Sequence, residues 1–66
     1  MSRTIKEMIL SQYRSEAECA RALGWERQRL NKITTGIREP SVFEINEIAK
    51  ALSVPVGDLV PLFLHD

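Results

Sequence analysis

The sequence predicts an all-α chain folded as a compact five-helix bundle, and three observations carry that prediction. Thr4 with Glu7, Ser15 with Glu18 and Ser41 with Glu44 each fit the S/T-x-x-E capping box. In that box the hydroxyl and the carboxylate reciprocally satisfy orphan backbone N–H groups at a helix start. Apolar residues recur at helical spacing behind each of these starts, and no segment reads as a strand. Gly24 and Gly36 bracket a further short helical pattern between the second and third box.

Taken in order, the first helix runs over about 5–13, with Ile5, Met8 and Ile9 on one face. The second covers about 16–23 and turns Cys19, Ala20 and Leu23 inward. The third starts near Arg27 behind a weak cap, because Glu26 stands where Ser, Thr or Asp is preferred. It ends at Gly36, which can take the left-handed conformation. The fourth covers about 42–52, with Val42, Ile45, Ile48, Ala49 and Leu52 as its apolar stripe. A fifth helix has Pro55 at its first position and Asp58 in its first turn, and Pro61 is expected to stop it early.

The 66 residues form one domain, 1–66, with the central motif over 16–35 and an apolar tail over 59–66. A chain of this size buries only about 60% of its unfolded surface, so tight helix packing or a second copy must supply stability. Cys19 is the only cysteine, which excludes a disulfide-stapled fold and fits a reducing, cytoplasmic setting. There is no apolar run near the roughly 18 residues needed to span a membrane, and no signal-peptide pattern.

The nine basic and nine acidic residues cancel overall but not locally. Residues 1–38 hold eight Lys/Arg against four Glu, or +4, whereas residues 39–66 hold Lys50 against five acids, or −4. Such asymmetry hints at a polyanionic partner for the basic half.

The segment "GWE" between the second and third helices is so short that it forces a sharp angle, which Gly24 permits by tolerating a positive φ. Ala20, with only a methyl group, lets the third helix approach; Leu30 and Ile33 point back into the angle. A small residue, a glycine four later and inward apolar residues at these offsets form a helix-turn-helix pattern. On a wheel at about 100° per residue, Gln28, Asn31, Lys32 and Thr35 lie opposite Leu30 and Ile33. Arg27 borders that outward face, and Arg29 sits on its other flank. Arg and Lys donate to guanine O6 and N7, and Gln and Asn pair with adenine N6 and N7, so the face suits the major groove of DNA. A flanking Arg29 and the positive end of the second helix suit phosphates.

Residues 15–41 resemble the helix-turn-helix of the Cro/phage-repressor (XRE-type) DNA-binding family, and the likeness extends from about residue 4 to residue 60. It is carried by Ala20, Gly24, Leu30 and Ile33, then by "TTGIREPS" and "INEIAKALSVPVGDLV". The resemblance implies a lambda-repressor-like domain that binds operator DNA, usually as a symmetric dimer. It implies base reading by Arg27, Gln28 and Lys32, with Asn31 on the same face. It implies phosphate contacts at the start of the second helix, Ser15 and Glu16, and at Arg29, Thr35 and Arg38. Two positions depart from the pattern. The family commonly has Gln where this chain has Glu16, and a carboxylate repels a phosphate. Phe43 falls beside Glu47 and Lys50, where a polar residue is usual.

Trp25 is expected to pack over the second and third helices, Cys19 to be a small core residue, and His65 to be exposed. Leu59, Val60, Leu62, Phe63 and Leu64 are too many apolar side chains to leave in water. They either fold back over the first and fourth helices or join Phe43 and Val56 in the twofold contact of a homodimer. No nucleophile–base pair, phosphate loop or metal set exists to support an enzyme or a cofactor. The expected function is that of a sequence-specific transcriptional regulator, a Cro-like repressor of phage, prophage or bacterial origin that acts by steric occlusion. Its partners are expected to be operator DNA and a second copy, with no membrane and no small-molecule ligand. The rival is a helix-turn-helix that binds a partner protein, as an interaction module or antitoxin component.

Overall fold

The computed structural model describes residues 4–63. Five helices follow one another: α1 (Ile5–Gln12), α2 (Glu16–Leu23), α3 (Arg27–Thr34), α4 (Val42–Leu52) and α5 (Val56–Phe63). There is no strand among the described residues. α2 and α4 are the centre of the bundle: α2 packs on α1, α3 and α4, while α4 also packs on α1 and α5.

The expected caps form at two of the three starts in full. Thr4 and Glu7, and Ser41 and Glu44, each make both bonds of the box. Ser15 accepts from the Glu18 N–H at 3.2 Å, but the Glu18 carboxylate does not reach back; it lies 4.0 Å from Arg21 instead. Glu26 makes no side-chain cap for α3, as its chemistry foretold.

The ends of α2, α3 and α4 pass through left-handed residues. Gly24, at φ 77°, ends α2, and the Trp25 N–H donates to the Ala20 carbonyl at 2.9 Å, closing a Schellman turn. Gly36 takes φ 80° after α3. The same turn after α4 is made without glycine: Ser53 sits at φ 56°, and the Val54 N–H donates to the Ala49 carbonyl at 3.1 Å. A side chain in this region is strained, so Ser53→Gly is expected to stabilise the protein by about 0.5 kcal/mol net of the glycine entropy cost. A thermal melt checks this; a fall in Tm contradicts it.

The core takes residues from every helix: Ile5 and Ile9, Cys19 and Ala20, Leu30 and Ile33, Ile48, Ala49 and Leu52, and Leu59. Each fully buried Leu or Ile contributes about 1.5–3 kcal/mol through removal from water. Burial, with the Glu16 charge second, raises the Cys19 thiol to about 11, so it stays protonated and inert at neutral pH. Two polar side chains of α1's end close the bundle from below. Gln12 Nε2 donates to the Leu52 carbonyl and the Tyr13 hydroxyl to the Ala51 carbonyl, both at 2.7 Å. They satisfy carbonyls that the end of α4 leaves without helical partners.

Two expectations need correction. Val42 does not join the α4 stripe: as the first residue of the helix it is 75% exposed. Pro61 does not stop α5, which runs through it to Phe63. The helix loses one N–H bond there, but burial of Leu59 and packing of Leu62 and Phe63 on the core hold the last turn in place. Those two tail residues therefore fold back on the core, whereas Phe43 and Val56 stay exposed. Leu64 and His65 lie outside the described residues.

Candidate nucleic-acid interface

α2, the Gly24 turn and α3 form the angle anticipated from the spacing. Ala20 is 1% exposed and Leu30 and Ile33 are buried beneath α3, so the third helix is seated by its apolar side and presents the other outward. Arg27, Gln28 and Lys32 are exposed on that side and make no hydrogen bond or ion pair with any described residue. With Asn31 and Ile37 they line a concavity of ≈ 260 Å³. Thr35, also exposed, turns its hydroxyl back to the Asn31 carbonyl at 2.7 Å.

Asn31 differs from its neighbours. It is half-buried, and its Nδ2 donates to Glu16 Oε1 at 3.1 Å. Glu16 is itself 9% exposed: it also accepts from the Thr34 hydroxyl at 3.2 Å and lies 3.9 Å from Lys6 Nζ. The side chain at the first position of α2 thus turns inward and ties α2 to α3. Around it, Lys6, Arg14, Ser15 and Arg27 help to line a second concavity of ≈ 420 Å³ at the N-terminus of α2. Lys6 and Arg14 were not singled out by the sequence reading; only the packing of α1 against α2 brings them to this spot.

Arg29 and Arg38 meet on one carboxylate. Arg29 Nε donates to Glu44 Oε2 at 3.0 Å, and Arg38 Nη1 and Nη2 donate to Oε1 and Oε2 at 3.0 and 2.6 Å. Arg29 also lies over the Trp25 ring, 4.2 Å from its centroid, a cation–π contact. Trp25 packs against the core as expected of a turn aromatic. Glu44 is 5% exposed and also receives the Ser41 N–H at 2.9 Å. The Arg38 hydrogen bond first, then the Ser41 N–H and Arg29, hold its carboxyl down at about 2 against the opposing effect of burial. The same bond raises the Arg38 guanidinium above its ordinary value. Two cations on one anion leave the cluster with one net positive charge, on side chains still 45% and 42% exposed. Sequence reasoning saw Glu44 only as a cap; its second role needs three segments to meet.

An angled helix pair, seated on its apolar side and carrying free donors on the other, defines the class of helix-turn-helix DNA-binding proteins. A family model described as helix-turn-helix matches residues 5–59, and the chain belongs to this XRE-type (Cro/phage-repressor) family of DNA-binding regulators. Neither curated proteins nor solved structures give a match to the chain. Among the described residues, no helix is long and apolar enough to cross a membrane, and no cluster of His, Cys, Asp or Glu is arranged to hold a metal ion.

Proposed function

We propose that the protein is a sequence-specific transcriptional repressor of the Cro type, which lays α3 in the major groove of operator DNA. Arg27, Gln28, Asn31 and Lys32 read base edges. The Ser15 end of α2, Thr35, Arg29 and Arg38 hold phosphates and set the register. Glu16, turned toward α3, leaves any phosphate at the start of α2 to the helix end and to the cations around it. The observation that carries this reading is the outward side of α3, where three long donors stand in water without a protein partner.

Binding occurs as a homodimer at least on DNA, with the exposed Phe43 (68%) and Val56 (39%) in the contact. Half-sites then lie about 34 Å apart, one helical turn of DNA. The setting is a bacterial cytoplasm, with a phage or prophage gene as the source, and repression is steric.

Salt titration on duplex DNA tests the reading. Binding through several phosphates gives a log–log slope of about −0.9 per phosphate neutralised. A protein showing no duplex binding at low salt, or a slope near zero, would instead fit a helix-turn-helix whose target is a partner protein. Sedimentation with and without duplex tests the dimer: a protein that stays monomeric in solution and never carries two protomers on a duplex with two half-sites contradicts it.

A further inference from the structure

The concavity on the outward side of α3 is lined by four hydrogen-bonding side chains, Arg27, Gln28, Asn31 and Lys32, and by one alkyl group, Ile37. Ile37 is 74% exposed. A lone exposed isoleucine is ordinary on a protein surface, but this one is distinguished by its place and by how it is held. Among the described residues, the other large exposed apolar side chains, Leu10, Val42, Phe43, Val56 and Val60, belong to α1, α4 and α5. The backbone on both sides of Ile37 is fixed. Gly36 takes φ 80°, and its N–H donates to the Ile33 carbonyl at 3.2 Å. The Arg38 N–H reaches back to the Lys32 carbonyl at 3.0 Å, and the Arg38 guanidinium is bound to Glu44. The chain therefore folds back on the last turn of α3 and holds Ile37 at the edge of the donor face, with little ordering left to be done on binding.

We infer that Ile37 is a specificity-determining residue, which packs on the C5-methyl group of a thymine at one position of each half-site. The base edges in the major groove offer hydrogen-bond donors and acceptors, and the thymine methyl is the apolar group among them. Arg27, Gln28, Asn31 and Lys32 have the chemistry to use the polar atoms. An isoleucine has none of it, and the methyl is what its side chain can recognise. Thymine opposite Ile37 lets two apolar groups leave water together. Cytosine lacks the methyl, and adenine and guanine set polar atoms against the side chain, so each of the three gains less. The inference rests on the proposed insertion of α3 in the major groove and adds a base that the turn after the helix selects.

Binding of the full chain to a selected duplex, with each thymine replaced in turn by deoxyuridine, tests it. Deoxyuridine pairs as thymine does and lacks only the methyl. One thymine per half-site is expected to lose about 3–6-fold in affinity on this change, the value of one methyl kept from water. Ile37→Ala is expected to weaken binding to the thymine duplex by a similar factor and to bind the thymine and deoxyuridine duplexes alike. The side chain is exposed and lies outside the helices, so the substitution leaves the fold intact. The two changes are therefore not additive: once the methyl or the isoleucine is gone, removing the other costs little. An Ile37→Ala variant that loses equally on both duplexes, as a side chain packed on the sugar–phosphate backbone would, overturns the inference. So does a selected site in which no thymine responds to loss of its methyl, or an Ile37→Ala variant that binds like the wild type. In each of these cases a preference for the selected site over random duplex leaves base reading by α3 standing. Absence of any sequence preference overturns base reading itself and this inference with it.

Discussion

Replacing Glu44 by alanine is expected to lower stability by about 2–3 kcal/mol, a fall of roughly 10–20 °C in Tm for a domain of this size. Two losses combine. Half of the reciprocal cap disappears: the Ser41 N–H loses its acceptor, worth about 0.5–1 kcal/mol, while the Ser41 hydroxyl keeps the backbone N–H of residue 44. The meeting point of Arg29 and Arg38 disappears with it, and α3 and the segment before α4 lose their shared anchor. Removing one partner of a buried pair commonly costs about 3–5 kcal/mol, but both guanidiniums are more than 40% exposed and regain water, which lowers the figure.

The pH dependence follows from the same carboxyl. Its folded-state value, about 2, lies below the ordinary 4.5, so the folded protein favours the ionised form. The stabilisation is fully present above about pH 5 and is lost as pH falls toward 2. The stability gap between wild type and Glu44→Ala should therefore narrow across that window. A gap unchanged between pH 7 and pH 2.5 would show that the arginines do not act through the ionised carboxylate.

Arg27→Ala is expected to lower affinity for the cognate duplex by about 1–3 kcal/mol, roughly 5- to 150-fold, and affinity for random duplex by less. Arg27 opens α3, stands exposed and lines both concavities, which puts it on the proposed DNA-facing side of the helix. Alanine is the best helix former, and the position carries no bond to a described residue, so the fold should be indifferent to the change. Equal losses on cognate and random duplex would move Arg27 from base reading to phosphate binding.

What could be read from the sequence was what depends on near neighbours. The boxes at Thr4 and Ser41 span three residues and formed in full, fixing the starts of α1 and α4. Gly24 and Gly36 took the positive φ that the tight connection and the end of α3 demanded. Leu30 and Ile33 faced inward because the 3.6-residue period leaves them no other side. The local rules failed where packing outweighed them. Pro61 sits inside α5 because Leu59 anchors the helix, and Ser53 takes a left-handed turn with no glycine present. Val42 fits the stripe by spacing, yet the first residue of a helix at the bundle's rim has nothing to pack on.

The two buried carboxylates were the least legible features. Glu44 joins residues 6 and 15 positions away, and Glu16 joins residues 15 and 18 positions away. Neither pattern leaves a periodic trace. The departure at Glu16 from the family's usual Gln was visible, and the charge of its carboxylate argued against a phosphate contact there. Its inward turn toward Asn31 and Thr34 was not, because that depends on the angle at which α3 crosses α2.

The central claim, that α3 reads base edges in operator DNA as part of a symmetric dimer, is tested most directly by selecting bound sequences from a randomised duplex pool. A two-fold symmetric consensus, with half-sites about 10 base pairs apart centre to centre, is the predicted result. A pool that emerges without any enriched sequence, at low salt and saturating protein, would contradict it.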